Sequence, residues 1–189
     1  MYLGSAAVSG VLKKQEILVL VDEMDHEIGT DTRENCHLGS GKRHRAYTVF
    51  LFHGGKLLLQ QRSKKKTLWP GAWDVSFTSH VYPGETYAQA AVRKGKQELD
   101  AKFGELRGVY SFVYFAPQGR WAENEFCRLL VGDFDGKVKP NPDEISAIKW
   151  VAIPELKEEL RTDPSSYTPW LKLSFEGFLG YPGSKKYGA

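Results

Sequence analysis

The sequence predicts an α+β fold in which a mixed β-sheet is sandwiched by helices. Most of the predicted elements are strands, several of them joined as hairpins, and short helical patterns are interleaved among these strands. The 189-residue chain is 41% hydrophobic and 26% charged, which is the composition of an ordinary globular domain. We expect one domain over residues 17–180, a flexible N-terminal extension over residues 1–16 and a flexible tail over residues 181–189.

Runs of apolar and β-branched residues, separated by turn residues, predict the strands. These runs cover residues 16–22, 45–52, 56–62, 73–78, 110–116, 121–134 and 145–152, with a short partner strand at 28–30. His53-Gly54-Gly55 supplies the turn of a hairpin between the second and third of the long runs. Residues 31–44 are polar and are expected to form a loop.

Helical spacing of small and apolar residues begins after Glu85. The predicted buried face consists of Ala88, Ala91, Val92, Gly95 and Leu99. A glycine inside a helix costs about 1 kcal/mol relative to alanine, so Gly95 predicts close packing against another backbone. Two shorter helices are predicted over residues 155–161 and 170–179.

Charge and cysteine content narrow the classes of function. A net charge of +3 gives no reason to expect a nucleic-acid partner, and two cysteines cannot build a disulfide framework for a chain of this size. No apolar run has the length of a membrane span, and the first residues lack the pattern of a secretory signal. We therefore expect a cytoplasmic protein without a membrane partner.

The strand at residues 121–134 carries the strongest chemical pattern. Residues two apart on a strand share a face, so Glu123, Glu125 and Cys127 point the same way. Two neighbouring carboxylates in a partly buried site need a cation or shared protons. The alternative is a sheet rim on which both carboxylates are solvated, and the strand pattern alone favours neither.

Three histidines lie near the ends of predicted elements. His37 and His44 belong to the polar loop before the second strand, and His80 precedes a turn. Together with Glu123 and Glu125 they form a candidate set of three nitrogen and two carboxylate ligands for a divalent metal. Spacing across loops does not by itself establish that these side chains meet in space.

Several motifs together resemble a known family. Residues 68–99 read LWPGAWDVSFTSHVYPGETYAQAAVRKGKQEL, which resembles the signature segment of the Nudix superfamily. More narrowly, H-x₆-H at His37 and His44, WPGAWDVSFTSH ending in His80, RWAENE at 120–125 and TPWLKL at 168–173 resemble the type 1 isopentenyl-diphosphate isomerases. The resemblance covers about residues 17–179.

The resemblance implies two metal sites. One is a divalent ion (Mn²⁺, Zn²⁺ or Mg²⁺) held by His37, His44, His80, Glu123 and Glu125. The other is a Mg²⁺ held by Glu98 together with the substrate diphosphate. It also implies that a diphosphate is bound by Arg33, Arg62, Lys66 and Lys94. Lys94 lies one helical turn before Glu98, so a simple surface ion pair is the alternative for this lysine.

The implied reaction moves protons on the allylic carbons of a small isoprenoid diphosphate. Glu125 and Tyr114 correspond to the family's proton-transfer pair, and Trp121 to the tryptophan that faces the carbocation. The family's catalytic cysteine corresponds to Thr78, whose hydroxyl cannot replace a thiolate base. We therefore expect isomerisation to be slow or altered.

Two further functions stay open. Of the three core glutamates of a hydrolysing Nudix segment only Glu98 remains, which disfavours a multi-magnesium cluster but leaves a Nudix hydrolase of nucleoside or other diphosphates as the first alternative. The second alternative is a diphosphate-binding protein without catalysis. In each case the partner is a small diphosphate, and the chain is a monomer or homodimer.

Overall fold

The computed structural model describes residues 15–189, and these form one mixed sheet with helices on both faces. The strands of this part of the chain are β1 Ile17–Val21, β2 Glu27–Thr32, β3 His44–His53, β4 Lys56–Arg62, β5 Trp73–Asp74, β6 Phe77–His80, β7 Arg107–Gln118, β8 Trp121–Asp133 and β9 Ile145–Ala152. The helices are α1 Arg33–His37, α2 Tyr87–Leu99, α3 Ile153–Thr162 and α4 Pro169–Gly180. The predicted fold class is confirmed.

Strand β3 is the centre of the sheet. Along one edge it pairs in parallel with β8, and His44 lies opposite Glu125 in this register. Its other edge is shared by three strands in turn: β1 at His44, β6 at residues 46–49 and β4 at residues 52–53. The strands that carry the predicted histidines and glutamates are therefore direct neighbours.

Alternate residues of β3 anchor the two helical layers. Tyr47, Val49 and Leu51 are fully buried in the core beneath α2, and the Tyr47 hydroxyl donates to the Ala90 carbonyl at 2.7 Å. Phe50 and Phe52 point the other way, into the core beneath α4. Because successive side chains of a strand alternate between faces, one apolar strand fixes both layers.

Helix α2 begins and ends with local capping interactions. The Thr86 hydroxyl accepts from the Gln89 amide at 3.2 Å, and the Gln89 side chain accepts from the Thr86 amide at 2.8 Å. This reciprocal capping box satisfies two amides that would otherwise lack partners. The helix ends at Asp100, whose left-handed backbone terminates it.

The buried face of α2 is rotated from the predicted one. The helix buries Ala90, Ala91, Gly95, Glu98 and Leu99, while Ala88 and Val92 are exposed. The prediction was wrong at those two positions because both possible faces share Ala91, Gly95 and Leu99. The close approach predicted at Gly95 is present but involves side chains, since a Cβ there would lie 2.2 Å from the Phe103 ring.

Two segments contain structure that the sequence pattern did not predict. Helix α1, capped by the Thr32 hydroxyl, lies inside the expected loop at 31–44 and is too short to show helical periodicity. The expected flexible tail contains a 3₁₀ helix, Pro182–Tyr187, and Tyr187 stacks on Phe52 with ring centroids 3.9 Å apart. Residues 181–189 are thus packed onto the domain, because their terminal tyrosine completes an aromatic cluster. Of the N-terminal extension expected at 1–16, residues 1–14 lie outside the described residues.

Replacing Tyr187 with alanine tests whether this C-terminal segment stabilises the fold. Burying an aromatic side chain in a packed core makes its removal cost about 3–5 kcal/mol, so we expect Tyr187→Ala to lower the free energy of unfolding by that amount. Denaturant unfolding measures the change. Phe115→Ala is the matched control, since Phe115 is 55% exposed and its loss should cost less than about 1 kcal/mol. Equal small losses in both variants would contradict the packed position of Tyr187.

Candidate active site

Three histidines from separate elements meet in one buried group. His37 ends α1, His44 begins β3 and His80 ends β6, and their ring centroids lie 4.8 to 5.0 Å apart. Together with Glu123 of β8 they offer four ligand atoms that all lie within 4.8 Å of one another. The structure therefore brings together residues that are separated by 86 positions of sequence, from 37 to 123.

Backbone carbonyls orient two of the imidazole rings. Nδ1 of His37 lies 2.7 Å from the Arg33 carbonyl, and Nδ1 of His44 lies 2.8 Å from the Lys42 carbonyl. A carbonyl oxygen only accepts, so Nδ1 carries the proton in each ring and Nε2 keeps its lone pair. Both Nε2 atoms face the buried group as acceptors, which is the arrangement that outer hydrogen bonds give to metal-binding histidines.

The two glutamates of β8 lie beside these nitrogens. Glu123 Oε2 is 3.1 Å from His37 Nε2, and Glu125 Oε1 is 3.3 Å from His80 Nε2 and 3.5 Å from His44 Nε2. Both carboxylates are buried, so the solvated-rim alternative for this strand is wrong. Glu125 stands slightly apart from the tight group of four, although it contacts two of its histidines.

The donor set fits a divalent cation. Within residues 15–189, His37 Nε2, His44 Nε2 and Glu123 Oε2 are buried and have no hydrogen-bond partner. Unsatisfied buried acceptors each cost about 1–3 kcal/mol, and all three point toward the same space. Imidazole nitrogens and carboxylate oxygens suit transition metals such as Zn²⁺ and Mn²⁺. A cation bound there would satisfy all three atoms.

The pKa values of two of these histidines, His37 and His80, shift in opposite directions. Burial, with the neighbouring charges of His44 and His37, holds the pKa of His80 well below its usual value, so this ring is neutral. Burial also lowers the pKa of His37, but the negative charge of Glu123, 3.1 Å away, outweighs it and raises the net pKa. Glu123 thus opposes the effect of burial at His37.

Tyr114 adds a proton donor to the group of histidines and glutamates. It lies opposite Glu125 on the neighbouring strand β7, and its hydroxyl donates to Glu125 Oε2 at 2.7 Å. Burial and the charge of Glu125 raise the pKa of Tyr114 well above its usual value, so the phenol stays protonated. Glu125 therefore lies between the two: its Oε1 faces His44 and His80, and its Oε2 accepts the hydrogen bond from the Tyr114 hydroxyl.

Thr78 lies where the sequence placed it, two residues before His80 on β6. It lines the same cavity as His80 and Glu125. Its hydroxyl donates to the Tyr47 carbonyl at 2.8 Å, an ordinary contact within the sheet. The hydroxyl proton is thus directed at the backbone rather than into the cavity.

The cavity has a volume of about 460 Å³, and the four predicted diphosphate-binding residues Arg33, Arg62, Lys66 and Lys94 all line it. Lys94 Nζ is 2.9 Å from Glu98 Oε1, and Lys66 Nζ is 3.4 Å from the same oxygen. Lys94 therefore makes the one-turn ion pair with Glu98 and also faces the cavity. Glu98 itself is almost completely buried.

Sequence reasoning missed Glu144. This carboxylate lines the cavity, contacts Lys66 and lies 3.9 Å from Lys94. Its turn is fixed beside α2 because the Asn141 amide donates to the Glu98 carbonyl at 2.8 Å. The motif PNPDE was visible at 140–144, but nothing in a loop motif indicates which helix the loop will contact.

Trp121, the tryptophan predicted to face the substrate, is not the tryptophan that lines the cavity. Among the described residues that line the cavity the tryptophan is Trp170, from α4, and Trp121 is absent. Trp121 begins β8, where the Arg120 guanidinium lies 5.0 Å from its ring centroid. The position of Trp170 depends on how α4 docks against the sheet, and no local sequence pattern predicts this docking. The residue itself is part of the motif TPWLKL.

Comparison with known proteins agrees with the sequence resemblance. The NUDIX domain family matches residues 42–171. Isopentenyl-diphosphate Delta-isomerase I, chloroplastic, from Arabidopsis thaliana is 36% identical over 202 residues, covering 93% of this chain and 69% of the relative. Isopentenyl-diphosphate Delta-isomerase from Nocardia farcinica is 37% identical over 156 residues, covering 80% and 88%.

Solved structures show the same fold. The DR0079 protein of Deinococcus radiodurans has a TM-score of 0.69 and 25% sequence identity, covering 85% of this chain and 98% of that one. A MutT NUDIX hydrolase from Burkholderia pseudomallei has a TM-score of 0.60 at 18% identity, covering 72% and 98%. The chain belongs to the Nudix family and, within it, to the family of isopentenyl-diphosphate Delta-isomerases. The prediction of an isomerase-type enzyme agrees with these relatives. None of the helices in residues 15–189 is long and apolar enough to cross a membrane.

Metal binding is the first testable consequence of this geometry. We expect the purified chain to bind a divalent ion and to gain about 2.7 kcal/mol of stability when free metal is about 100 times its dissociation constant. His44→Ala should weaken binding at least about 100-fold, because loss of an outer partner alone costs about 10–100-fold. Metal analysis and thermal unfolding with and without chelator measure both effects.

The matched control is His53→Ala, which removes an exposed histidine on the same strand but outside the group. It should leave metal content and chelator sensitivity unchanged. Equal metal content in His44→Ala and the wild type would show that the buried histidines are not ligands.

Proposed function

We propose that this chain is a metal-dependent isopentenyl-diphosphate isomerase-like enzyme acting on a small isoprenoid diphosphate. The observation that carries the proposal is the Tyr114–Glu125 hydrogen bond, which places a phenolic proton beside the histidine group and on the wall of a cavity that basic residues also line. A proton-transfer pair and an anion-binding lining in one cavity suit an acid–base reaction on a diphosphate.

The basic residues would bind the diphosphate, and Glu98 together with diphosphate oxygens would hold Mg²⁺. Arg33 and Arg62 offer planar guanidinium donors, while Lys66 offers a mobile ammonium group. A divalent ion at the histidine group, when bound, would supply positive charge that keeps Glu123 and Glu125 ionised side by side. The identities of both metals stay predictions.

Isomerisation adds one proton to the terminal alkene carbon and removes another from the carbon beside the oxygen-bearing carbon. Tyr114, hydrogen-bonded to Glu125, would supply the added proton on one face of the substrate. The ring of Trp170, rather than that of Trp121, would face the cationic carbon formed between these transfers. The second transfer needs a group at the position of Thr78, where the family has a cysteine.

The threonine at position 78 is the reason why we expect slow isomerisation. Its hydroxyl has too high a pKa to act as the anionic base that a thiolate provides, and its proton is donated to the Tyr47 carbonyl. One of the two proton transfers therefore lacks its usual partner, and turnover should be slow. Cytoplasmic location and a monomeric or homodimeric state remain predictions.

Restoring the thiol tests this assignment. Isomerisation of isopentenyl diphosphate by Thr78→Cys should exceed that of the wild type by about 10²-fold or more, because a positioned acid or base contributes about 10²–10⁴-fold. A proton NMR assay of double-bond position measures the rate. Thr78→Ser is the matched control, since it keeps a hydroxyl and should give no gain.

Glu125→Gln in the Thr78→Cys background should abolish the gained activity, because a neutral amide replaces the carboxylate beside Tyr114 and cannot take part in proton transfer. If neither the wild type nor Thr78→Cys turns over while metal is bound, isomerase activity is lost from this chain. Tight binding of isopentenyl diphosphate by calorimetry, with no turnover of any substrate, would then indicate the non-catalytic diphosphate-binding protein.

One observation favours the hydrolase alternative. Glu144 lines the cavity and lies beside Lys66 and Lys94, the two lysines that also pair with the buried Glu98, so a second carboxylate that the degenerate helix motif lacks is near the site. Carboxylates grouped at a diphosphate site are what magnesium-dependent hydrolysis uses.

We expect a panel of nucleoside diphosphate compounds with Mg²⁺ to be hydrolysed more slowly than isopentenyl diphosphate is isomerised by Thr78→Cys. Phosphate and nucleoside monophosphate release measure the reaction. Rapid release that Glu144→Gln abolishes, and that the exposed control Asp135→Asn leaves intact, would displace the isomerase proposal.

A further inference from the structure

Asp74 is a fully buried carboxylate outside the set of residues that line the cavity. It ends the short strand β5, which pairs with β4 through Gln60. Burying a carboxylate is costly unless donors surround it. Two of the residues that contact Asp74, Arg62 and Trp170, line the cavity.

One oxygen of Asp74 accepts three donors. The Val75 amide donates to Oδ1 at 2.8 Å, the Thr168 hydroxyl at 3.0 Å and the Trp170 indole N–H at 2.5 Å. Thr168 also caps helix α4, and its amide donates to the Trp73 carbonyl at 3.0 Å. This oxygen therefore fixes the start of α4, and with it the indole ring on the cavity wall.

The other oxygen of Asp74 holds Arg62. The guanidinium Nη1 donates to Oδ2 at 2.9 Å, while Nη2 and Nε donate to the Leu68 carbonyl at 2.8 and 3.1 Å. The guanidinium carbon also lies 5.1 Å from the centroid of the Trp170 ring. Among the contacts of residues 15–189, one N–H on each terminal nitrogen has no acceptor, because the guanidinium carries five N–H groups.

Burial raises the pKa of Asp74, and the charge and hydrogen bond of Arg62, with the other donors, oppose that rise. All of its partners donate, which is the environment of an ionised carboxylate. Arg62 and Trp170 thus share one anchor although they lie 108 positions apart in the sequence.

We propose that Asp74 is a positioning residue that holds the Arg62 guanidinium ready for a diphosphate and the Trp170 ring against the substrate's carbon chain. This inference rests on the proposed function, since it requires an anion at Arg62. It assigns to one buried carboxylate the alignment of the two parts of the cavity, the charged part and the apolar part.

Asp74→Asn separates these two contacts. The single oxygen of asparagine should stay with the three converging donors, so its NH₂ group would face Arg62 Nη1, donor against donor. Arg62 should then shift, while Trp170 keeps an acceptor. We expect binding of inorganic pyrophosphate with Mg²⁺, measured by calorimetry, to weaken about 10-fold, because one charge-assisted contact is lost.

A double-mutant cycle shows whether Asp74 acts through Arg62. Arg62→Gln alone should weaken pyrophosphate binding, and adding Asp74→Asn should weaken it no further. Glu159→Gln is the matched control, because it breaks another side-chain ion pair near β5, with Lys149, and neither residue is among those that line the cavity. It should leave pyrophosphate binding unchanged.

Two results would overturn the inference while leaving the proposed function intact: unchanged pyrophosphate affinity in Asp74→Asn, or losses from Asp74→Asn and Arg62→Gln that simply add. Failure of the wild type itself to bind pyrophosphate would overturn both, and this failure is recognisable because it appears without any substitution.

Indole resonances test the contact even if Asp74→Asn does not fold. The chain has five tryptophans, and Trp170→Phe identifies the Trp170 N–H signal in a ¹H–¹⁵N spectrum. A short bond to a carboxylate should place this signal furthest downfield of the five and slow its hydrogen exchange. A Trp170 signal at the position of a solvent-exposed indole would contradict the assignment of Asp74 as its anchor.

Discussion

The buried charge of Glu123 and Glu125 is the constraint on which the site depends. Two carboxylates on one strand face, both shielded from water, are tolerated only beside cationic or proton-donating partners. Among the described residues, the Tyr114 hydroxyl donates to Glu125, while the Glu123 oxygen and the Nε2 atoms of His37 and His44 are unsatisfied acceptors that a bound cation would satisfy. Strand β3 makes this possible, because it places β6 on one edge and β8 on the other. The apolar layers on both faces keep these three strands in register.

Much of this arrangement was readable from the sequence because it follows short-range rules. Alternation on β8 placed Glu123 and Glu125 on one face, and turn residues delimited the hairpin between β3 and β4, so these strands were predicted within a residue or two. Sequence spacing alone could not predict that the three histidines meet. His80 reaches His44 through the order of strands in the sheet, and His37 reaches it from the end of α1. The prediction that these histidines form one group therefore came from the family resemblance and not from local sequence patterns.

The parts that the sequence did not predict depend on docking between distant elements. Trp170 reaches the cavity because Asp74 holds the start of α4, and Glu144 does so because its loop is bonded to the end of α2. Tyr187 lies in a segment that the sequence predicts to be a flexible tail, and only the structure shows that it packs against Phe52. On α2, two possible faces share most of their small residues, so periodicity alone could not choose between them. These errors concern which surfaces meet, whereas the two short helices at Arg33–His37 and Pro182–Tyr187 were missed as segments of secondary structure.

The hydrogen bond from Thr78 to the Tyr47 carbonyl has a consequence for how such a site can change its chemistry. Residue 78 is supported by the sheet backbone and contributes nothing to the histidine group or to Asp74. Exchanging its side chain therefore leaves the binding architecture standing while removing or restoring one reactive atom. If the proposed function holds, one proton-transfer group at residue 78 can be lost or regained while the residues proposed to bind the metal and the diphosphate keep their positions.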